Sequence, residues 1–143
     1  MTLAIGTDGC ASNNDLDMVG ETRTAALLAK AVASDAAGFD AHAALRAATL
    51  GGAKAIGFDH LVGSLEPGKR ADIACVDFSA LETQPLHNIV SQLIYATGRH
   101  QVSDVWIEGD QKLRRRVLVD MDLDGIIANA RQWRDRIATV RPA

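Results

Sequence analysis

The most constraining feature is at the head of the chain. Thr2-Leu3-Ala4-Ile5 reads as a short apolar strand stopped by Gly6-Thr7-Asp8-Gly9, and nothing strand-like follows until Leu61. A lone strand leaves backbone donors and acceptors unpaired along both edges, so it cannot form a sheet by itself. The stretch as far as Gly57 therefore reads as the closing part of a larger α/β body.

The intervening residues carry helical patterns. A polar loop, Ser12-Asn13-Asn14-Asp15, precedes a helix expected from Leu16 to Ala33, whose apolar residues (Leu16, Met18, Val19, Leu27, Leu28, Val32) nearly encircle it. That distribution predicts packing on more than one side. Asp40 can cap a second helix reaching Ile56, with Gly57 placed to end it. Its small residues Gly51, Gly52, Ala53 and Ala55 permit close approach at a cost in intrinsic propensity.

From Leu61 the texture changes. Glu66-Pro67-Gly68-Lys69 fits a type II turn, and Ala71–Asp77 reads as a strand covered on both faces. Val102–Ile107 is a further strand, with Lys112–Val119 as its hairpin partner. The chain closes on a helix with Leu123, Ile126, Ile127, Ala130, Trp133 and Ile137 on one side and Arg131, Arg134, Asp135 and Arg136 on the other.

Composition narrows the function classes. With 48% hydrophobic and 23% charged residues over 143 positions, the chain is globular in type, and a formal charge of -3 offers no field for binding nucleic acid or an anionic membrane surface. Cys10 and Cys75 form neither a disulfide framework nor a metal knuckle, which makes a reducing, cytoplasmic setting the default. No basic leader and no spanning segment is visible at the N-terminus.

Few residues carry the types needed for chemistry. Asp8, a carboxylate at the end of an apolar strand between glycines, suits either a cap of its own turn or a metal-binding, proton-moving group at a barrel mouth. Ser12, Asn13 and Asn14 suit either the mouth of such a site or an Asx-turn leading into the helix. His42, His60, His87 and His100 show no His-x-His spacing and read as surface or structural residues, and Cys10 and Cys75 as small buried ones. Arg114-Arg115-Arg116 reads as a solvated hairpin edge, and Trp106 and Trp133 as packed between the β module and the last helix.

Several of these segments, taken in order, resemble one family. Gly6-Thr7-Asp8-Gly9, Ser12 to Asp17, the helix with Glu21 and Arg23, Ala47 to Gly57, Gly63 to Asp72 and Val105 to Gly109 together resemble the C-terminal portion of the amidohydrolase superfamily. The nearest branch is the deaminase and chlorohydrolase group, which includes methylthioadenosine/S-adenosylhomocysteine deaminases and triazine hydrolases. The resemblance implies an α/β fold: the C-terminal part of a (β/α)8 metal-dependent hydrolase barrel, followed by part of a small β-sandwich and a C-terminal helix. Residues 1–60 would be the last barrel strand and closing helices, 61–119 the sandwich part with a barrel-associated segment near 85–98, and 120–143 the terminal helix. Such a barrel takes about 250 residues, and only its last strand and helices fit before Leu61.

It also implies chemistry. Asp8 would be a ligand of one divalent metal, zinc foremost and iron as an alternative, and would take a proton from the water that the metal activates. The remaining ligands are histidines of a kind absent from this chain. The expected reaction of the parent is hydrolysis of a C–N bond, most simply deamination of a purine-like or other nitrogen heterocycle, with the chain inactive by itself. Cyclic-amide and halide hydrolysis remain alternatives, as does a non-enzymatic, complementing subunit marked by exposed apolar surface at Leu3–Ile5 and Leu16–Val32. Such surface leads to the expectation of self-association or association with a missing N-terminal part, and Met1, heading what reads as an interior strand, is what a truncated reading frame would give.

Overall fold

The computed structural model describes residues 2–140; Met1 and residues 141–143, the end of the expected terminal segment, lie outside the described residues. Helix α1 (Met18–Ala33) begins where the Asp17 carboxylate accepts the Val19 N–H at 3.0 Å. Glu21 in its first turn and Lys30 in its last complement the helix dipole, and Ser34, left-handed at φ 51°, ends it.

Helix α2 (Ala41–Arg46) is capped by Asp40, whose carboxylate accepts the Ala43 N–H at 2.8 Å. It continues through a π-helical turn, Ala47–Gly51, into α3 (Gly52–Ala55), and Gly57 at φ 77° ends the rod. The expected second helix is thus one rod with a π turn in its middle, a feature that the apolar spacing does not report. That turn lies under the head of the chain: a Cβ on Gly51 would sit 2.3 Å from the Leu3 carbonyl oxygen. Only glycine lets the head segment pass so close.

Helix α4 (Ile89–Tyr95), capped by Asn88, packs across α1 and α2. The core is small: Ala26, Ala41, Ala44 and Ile94 are buried, with Phe39, Leu45, Val90, Leu93 and Tyr95 packed around them. Alanines at the crossings let the helices approach closely. Arg23 adds a polar tie by donating from Nε to the Ile94 carbonyl at 3.4 Å and from its second terminal nitrogen to the Thr97 carbonyl.

The β module is an antiparallel sheet in the order β1 (Ile73–Val76), β2 (Val102–Ile107), β3 (Asp110–Arg114), β4 (Val117–Leu118). Glu108-Gly109 turns β2 into β3 with both residues at positive φ, 53° and 86°, the geometry that matches strand twist in two-residue hairpins. Arg115 and Arg116, at φ 48° and 66°, make the next turn in the same way. Asp104 accepts the Arg115 N–H at 3.1 Å, and Arg116 donates to Asp77 at 2.9 Å and to the His100 carbonyl at 2.9 Å. At the module's entrance Gly68 takes φ 93°, and the Lys69 N–H donates to the Glu66 carbonyl at 3.1 Å, as the expected turn requires.

Several expectations are corrected here. Thr2–Ile5 forms no strand, because no strand in the described chain offers it a ladder; its tie is the Ile5 N–H donating to the Ala47 carbonyl at 3.3 Å. The expected strand Lys112–Val119 is two strands, split at Arg115-Arg116. Neither face of β1 is fully covered: Ala74 and Cys75 are exposed, and so is Cys10, so neither cysteine is a core residue. Helix α1 packs on one side only, leaving Leu27, Leu28 and Val32 in solvent.

The last helix, α5 (Leu123–Val140), lies away from the sheet. Trp133 is 54% exposed and Trp106 half-buried, so the tryptophans do not pack together between module and helix. For Thr2–Ile5, β1, α1 and Trp133 alike, the missing element is a second layer that the described residues do not supply.

Candidate active site

The head segment runs over Gly51 and delivers Asp8 to a tight loop. Asp8 is left-handed at φ 61°, a conformation that short polar side chains tolerate better than most. Its Oδ1 accepts the Gly9 N–H at 2.7 Å. The Ser12 hydroxyl, which also reaches the Gly9 carbonyl at 3.1 Å, and that Gly9 amide hold the Asp8 carboxyl below its ordinary pKa of 3.8. Asp8 is exposed and, at neutral pH, charged.

The loop is closed from beneath. The Ser12 and Asn13 N–H groups both donate to the Gly9 carbonyl at 3.0 Å. Asn13 then donates its amide protons to the Thr7 carbonyl at 2.8 Å and to Glu21 at 3.0 Å, while its Oδ1 accepts the Asp15 N–H at 2.9 Å. One side chain thereby ties the residue before Asp8 to the first turn of α1. Asp15 pairs with Arg99, which links the same loop to the segment entering β2.

Asp8 and Ser12 therefore share one turn, Asn13 faces inward as a clamp with Asx-turn geometry, and Asn14 is exposed. Sequence reasoning did not assign Glu21 or Arg23 these roles. Their local signal is a pair of opposite charges two residues apart near the start of a helix that also carries Thr22, Thr24 and Lys30.

A metal site needs several converging ligands, typically three or four from the protein for zinc. Among the described residues no group of three or more His, Cys, Asp or Glu side chains comes together, and all four histidines are exposed. Asp8 fits such a site as a single ligand, since its carboxyl is held in the unprotonated form that binding requires. A separate cleft of about 850 Å³ opens between the helices and β1, lined by Met18, Val19, Leu45, Ile56, Val62 and Leu93 among others, with Asp72 its one ionisable side chain. It is a packing face rather than a place for acid–base chemistry.

Residues 1–112 match the model of the amidohydrolase family. The chain belongs to that family. A 5-methylthioadenosine/S-adenosylhomocysteine deaminase from Teredinibacter turnerae is 50% identical over 141 residues, which cover 99% of this chain and 32% of the relative. One from Saccharophagus degradans is 42% identical over 137 residues, covering 96% of this chain and 31% of that protein.

Among solved structures, an adenosine deaminase from Xanthomonas campestris with bound zinc superposes with a TM-score of 0.94 at 69% identity, over 97% of this chain and 32% of its own. The atrazine chlorohydrolase of Arthrobacter aurescens TC1 complexed with zinc follows with a TM-score of 0.83 at 32% identity, over 92% and 29%. The chain thus spans about a third of the length of these relatives. Among the described residues no helix is long and apolar enough to cross a membrane.

Proposed function

We propose that this chain supplies the last metal-binding carboxylate, Asp8, and the closing helices and β module of a metal-dependent aminohydrolase that deaminates an adenosine-like nucleoside. The observation that carries the reading is the 69% identity and 0.94 TM-score to a zinc-containing adenosine deaminase over 97% of the chain. Methylthioadenosine and S-adenosylhomocysteine are the favoured substrates, because the relatives of 50% and 42% identity bear those names.

Asp8 would hold the ion together with histidines from outside the described residues. A bound divalent ion supplies Lewis acidity toward water and substrate. This chain's part is positional: Gly9 and Ser12 keep Asp8 ionised, Asn13 fastens the loop to Glu21, and Gly51 lets the head segment lie close to the helix rod. Ser12, in the same turn as Asp8, and the exposed Asn14 two residues on would border the substrate. With one ligand of its own, the chain turns over substrate only in company with the remaining two thirds of such an enzyme.

The exposed apolar residues Leu3 (47%) on the head segment and Leu27 (50%), Leu28 (60%) and Val32 (78%) on α1 support that company, since no layer among the described residues covers them. The test joins this chain to the upstream two thirds of the Xanthomonas campestris protein and supplies zinc. Release of ammonia from methylthioadenosine, S-adenosylhomocysteine or adenosine is expected. A zinc-loaded joined protein that is inert toward these nucleosides and releases chloride from a chlorotriazine would replace deamination with halide hydrolysis.

A further inference from the structure

Asp8 holds a backbone conformation that the contacts on its carboxylate do not explain. At φ 61° it lies in the left-handed region, which short polar side chains tolerate but seldom prefer. The Gly9 amide and the Ser12 hydroxyl act on the carboxylate from the loop that follows. Both lie on the C-terminal side of Asp8, whereas its φ is set by the peptide that precedes it. Turning the Thr7–Asp8 peptide plane over would carry Asp8 to a φ of about −120°, within the broad extended region, and would swing the Thr7 carbonyl to the opposite side of the chain.

The Asn13 side chain opposes that rotation. Its Nδ2 donates to the Thr7 carbonyl at 2.8 Å and to Glu21 Oε1 at 3.0 Å, while its Oδ1 accepts the Asp15 N–H at 2.9 Å. A carbonyl and a carboxylate only accept and a backbone N–H only donates, so all three partners dictate the same orientation of the amide. Both bonds from Nδ2 are partly buried. Glu21 is half-buried in the first turn of α1, where its own N–H donates to the Asp17 carbonyl at 2.9 Å, so the far end of the relay is anchored in a helix.

We propose that Glu21 is a positioning residue for Asp8: through the Asn13 amide it pins the Thr7–Asp8 peptide and so keeps Asp8 left-handed, with its carboxylate where the ion would be held. The role rests on Asp8 being a metal ligand, and it adds the outer partners that make that ligand rigid. Hydrogen-bonded partners of this kind are worth about 10- to 100-fold in metal affinity.

The test is zinc affinity, measured by competition with a chromogenic chelator, in the protein that joins this chain to the upstream two thirds of its Xanthomonas campestris relative, together with crystal structures of its metal-free form. Glu21→Gln keeps an acceptor for Asn13 and should stay within about threefold of the unaltered affinity. Glu21→Met removes the acceptor and should weaken zinc binding by roughly tenfold. Asn13→Asp sets a carboxylate oxygen against both the Thr7 carbonyl and Glu21 and should weaken it by roughly 100-fold, although a negative charge added near a cation would by itself tighten binding. In these last two variants the electron density should show the Thr7–Asp8 peptide turned over. Adding Glu21→Gln to Asn13→Asp supplies the new carboxylate with a donor but leaves the Thr7 carbonyl unheld, so the unfolding midpoint should recover while zinc affinity should not.

Zinc affinity that falls with Asp8→Asn but ignores Glu21→Met and Asn13→Asp overturns the relay and leaves the metal site standing. A peptide that keeps its orientation in both variants, or a double variant that regains affinity, overturns the relay as well. Affinity indifferent to Asp8→Asn overturns the metal reading and the relay together. A joined protein that follows the whole series yet leaves nucleosides intact loses deamination and keeps the relay.

Discussion

Gly51 and its neighbour Gly52 offer a sharp test of how the head segment is seated. Both have ordinary right-handed helical φ, so replacing either by alanine recovers up to about 1 kcal/mol of helix propensity. At Gly52 the nearest atom to a new Cβ is the Ala47 oxygen at 3.8 Å, an ordinary contact. Gly52→Ala should therefore stabilise by about 0.5–1 kcal/mol.

At Gly51 the new Cβ would lie 2.3 Å from the Leu3 carbonyl oxygen and 3.0 Å from that of Arg46, both backbone atoms that cannot swing aside. Overpacking of this kind costs about 1–3 kcal/mol. Displacing Leu3 also strains the bond from the Ile5 N–H to the Ala47 carbonyl, worth about 1 kcal/mol. Set against the propensity gain, Gly51→Ala should destabilise by about 1–3 kcal/mol. The two variants should thus differ by about 1.5–4 kcal/mol, in opposite directions.

Urea unfolding measures the totals, and amide hydrogen exchange at Ile5 locates the damage: protection should fall in Gly51→Ala and persist in Gly52→Ala. If the variants shift together, or if Ile5 keeps its protection in Gly51→Ala, then the head segment does not lie across the π turn, and Asp8 is not delivered to its loop in this way.

Gly63, at φ 91° with Ala53 Cβ at 2.8 Å and Leu50 Cα at 2.9 Å from an added methyl, should lose about 2–5 kcal/mol on change to alanine, read as a lower urea midpoint. Arg23→Met should cost about 1.5–3 kcal/mol, because it strips a charged donor from the carbonyls of Ile94 and the fully buried Thr97; a midpoint within error of wild type would show those ties to be idle. Ser79 and Arg116 hold the Asp77 carboxyl well below its usual 3.8, at about 2, so its contribution is present above the ordinary value and is lost as pH falls from about 4 to 2. The advantage of wild type over Asp77→Asn should accordingly fade across that window, and an advantage unchanged at pH 2 would contradict the pairing.

Features set by neighbours in sequence were legible before the fold was known. Asp40 as a cap, Gly57 as a helix end and the Pro67-Gly68 turn all follow from a single residue's backbone preference. Features set by distant partners were not. Thr2–Ile5 has strand composition, yet strand structure needs a ladder, and the described residues hold no mate for it. Cys75 and Trp133 are apolar enough for a core, but burial needs a covering layer, and α5 stands clear of the sheet.

The π turn escaped because a single wide turn barely shifts the apolar spacing, and the split at Arg115-Arg116 because no glycine or asparagine marks those positive φ angles. At the site, Asp8 stood out through its flanking glycines. The clamp from Asn13 to Glu21 did not, since an amide can serve equally as a turn former or as a bridge, and only geometry distinguishes them.

The central claim is that Asp8 belongs to a metal-dependent deaminase site. It is tested most directly by the turnover of methylthioadenosine in the protein that joins this chain to the upstream two thirds of its Xanthomonas campestris relative, with and without Asp8→Asn. Removing the charge while keeping the shape should cut turnover by roughly 100-fold or more, because asparagine can still accept the Gly9 N–H but can no longer take a proton. An Asp8→Asn protein that deaminates at close to the unaltered rate would contradict the account.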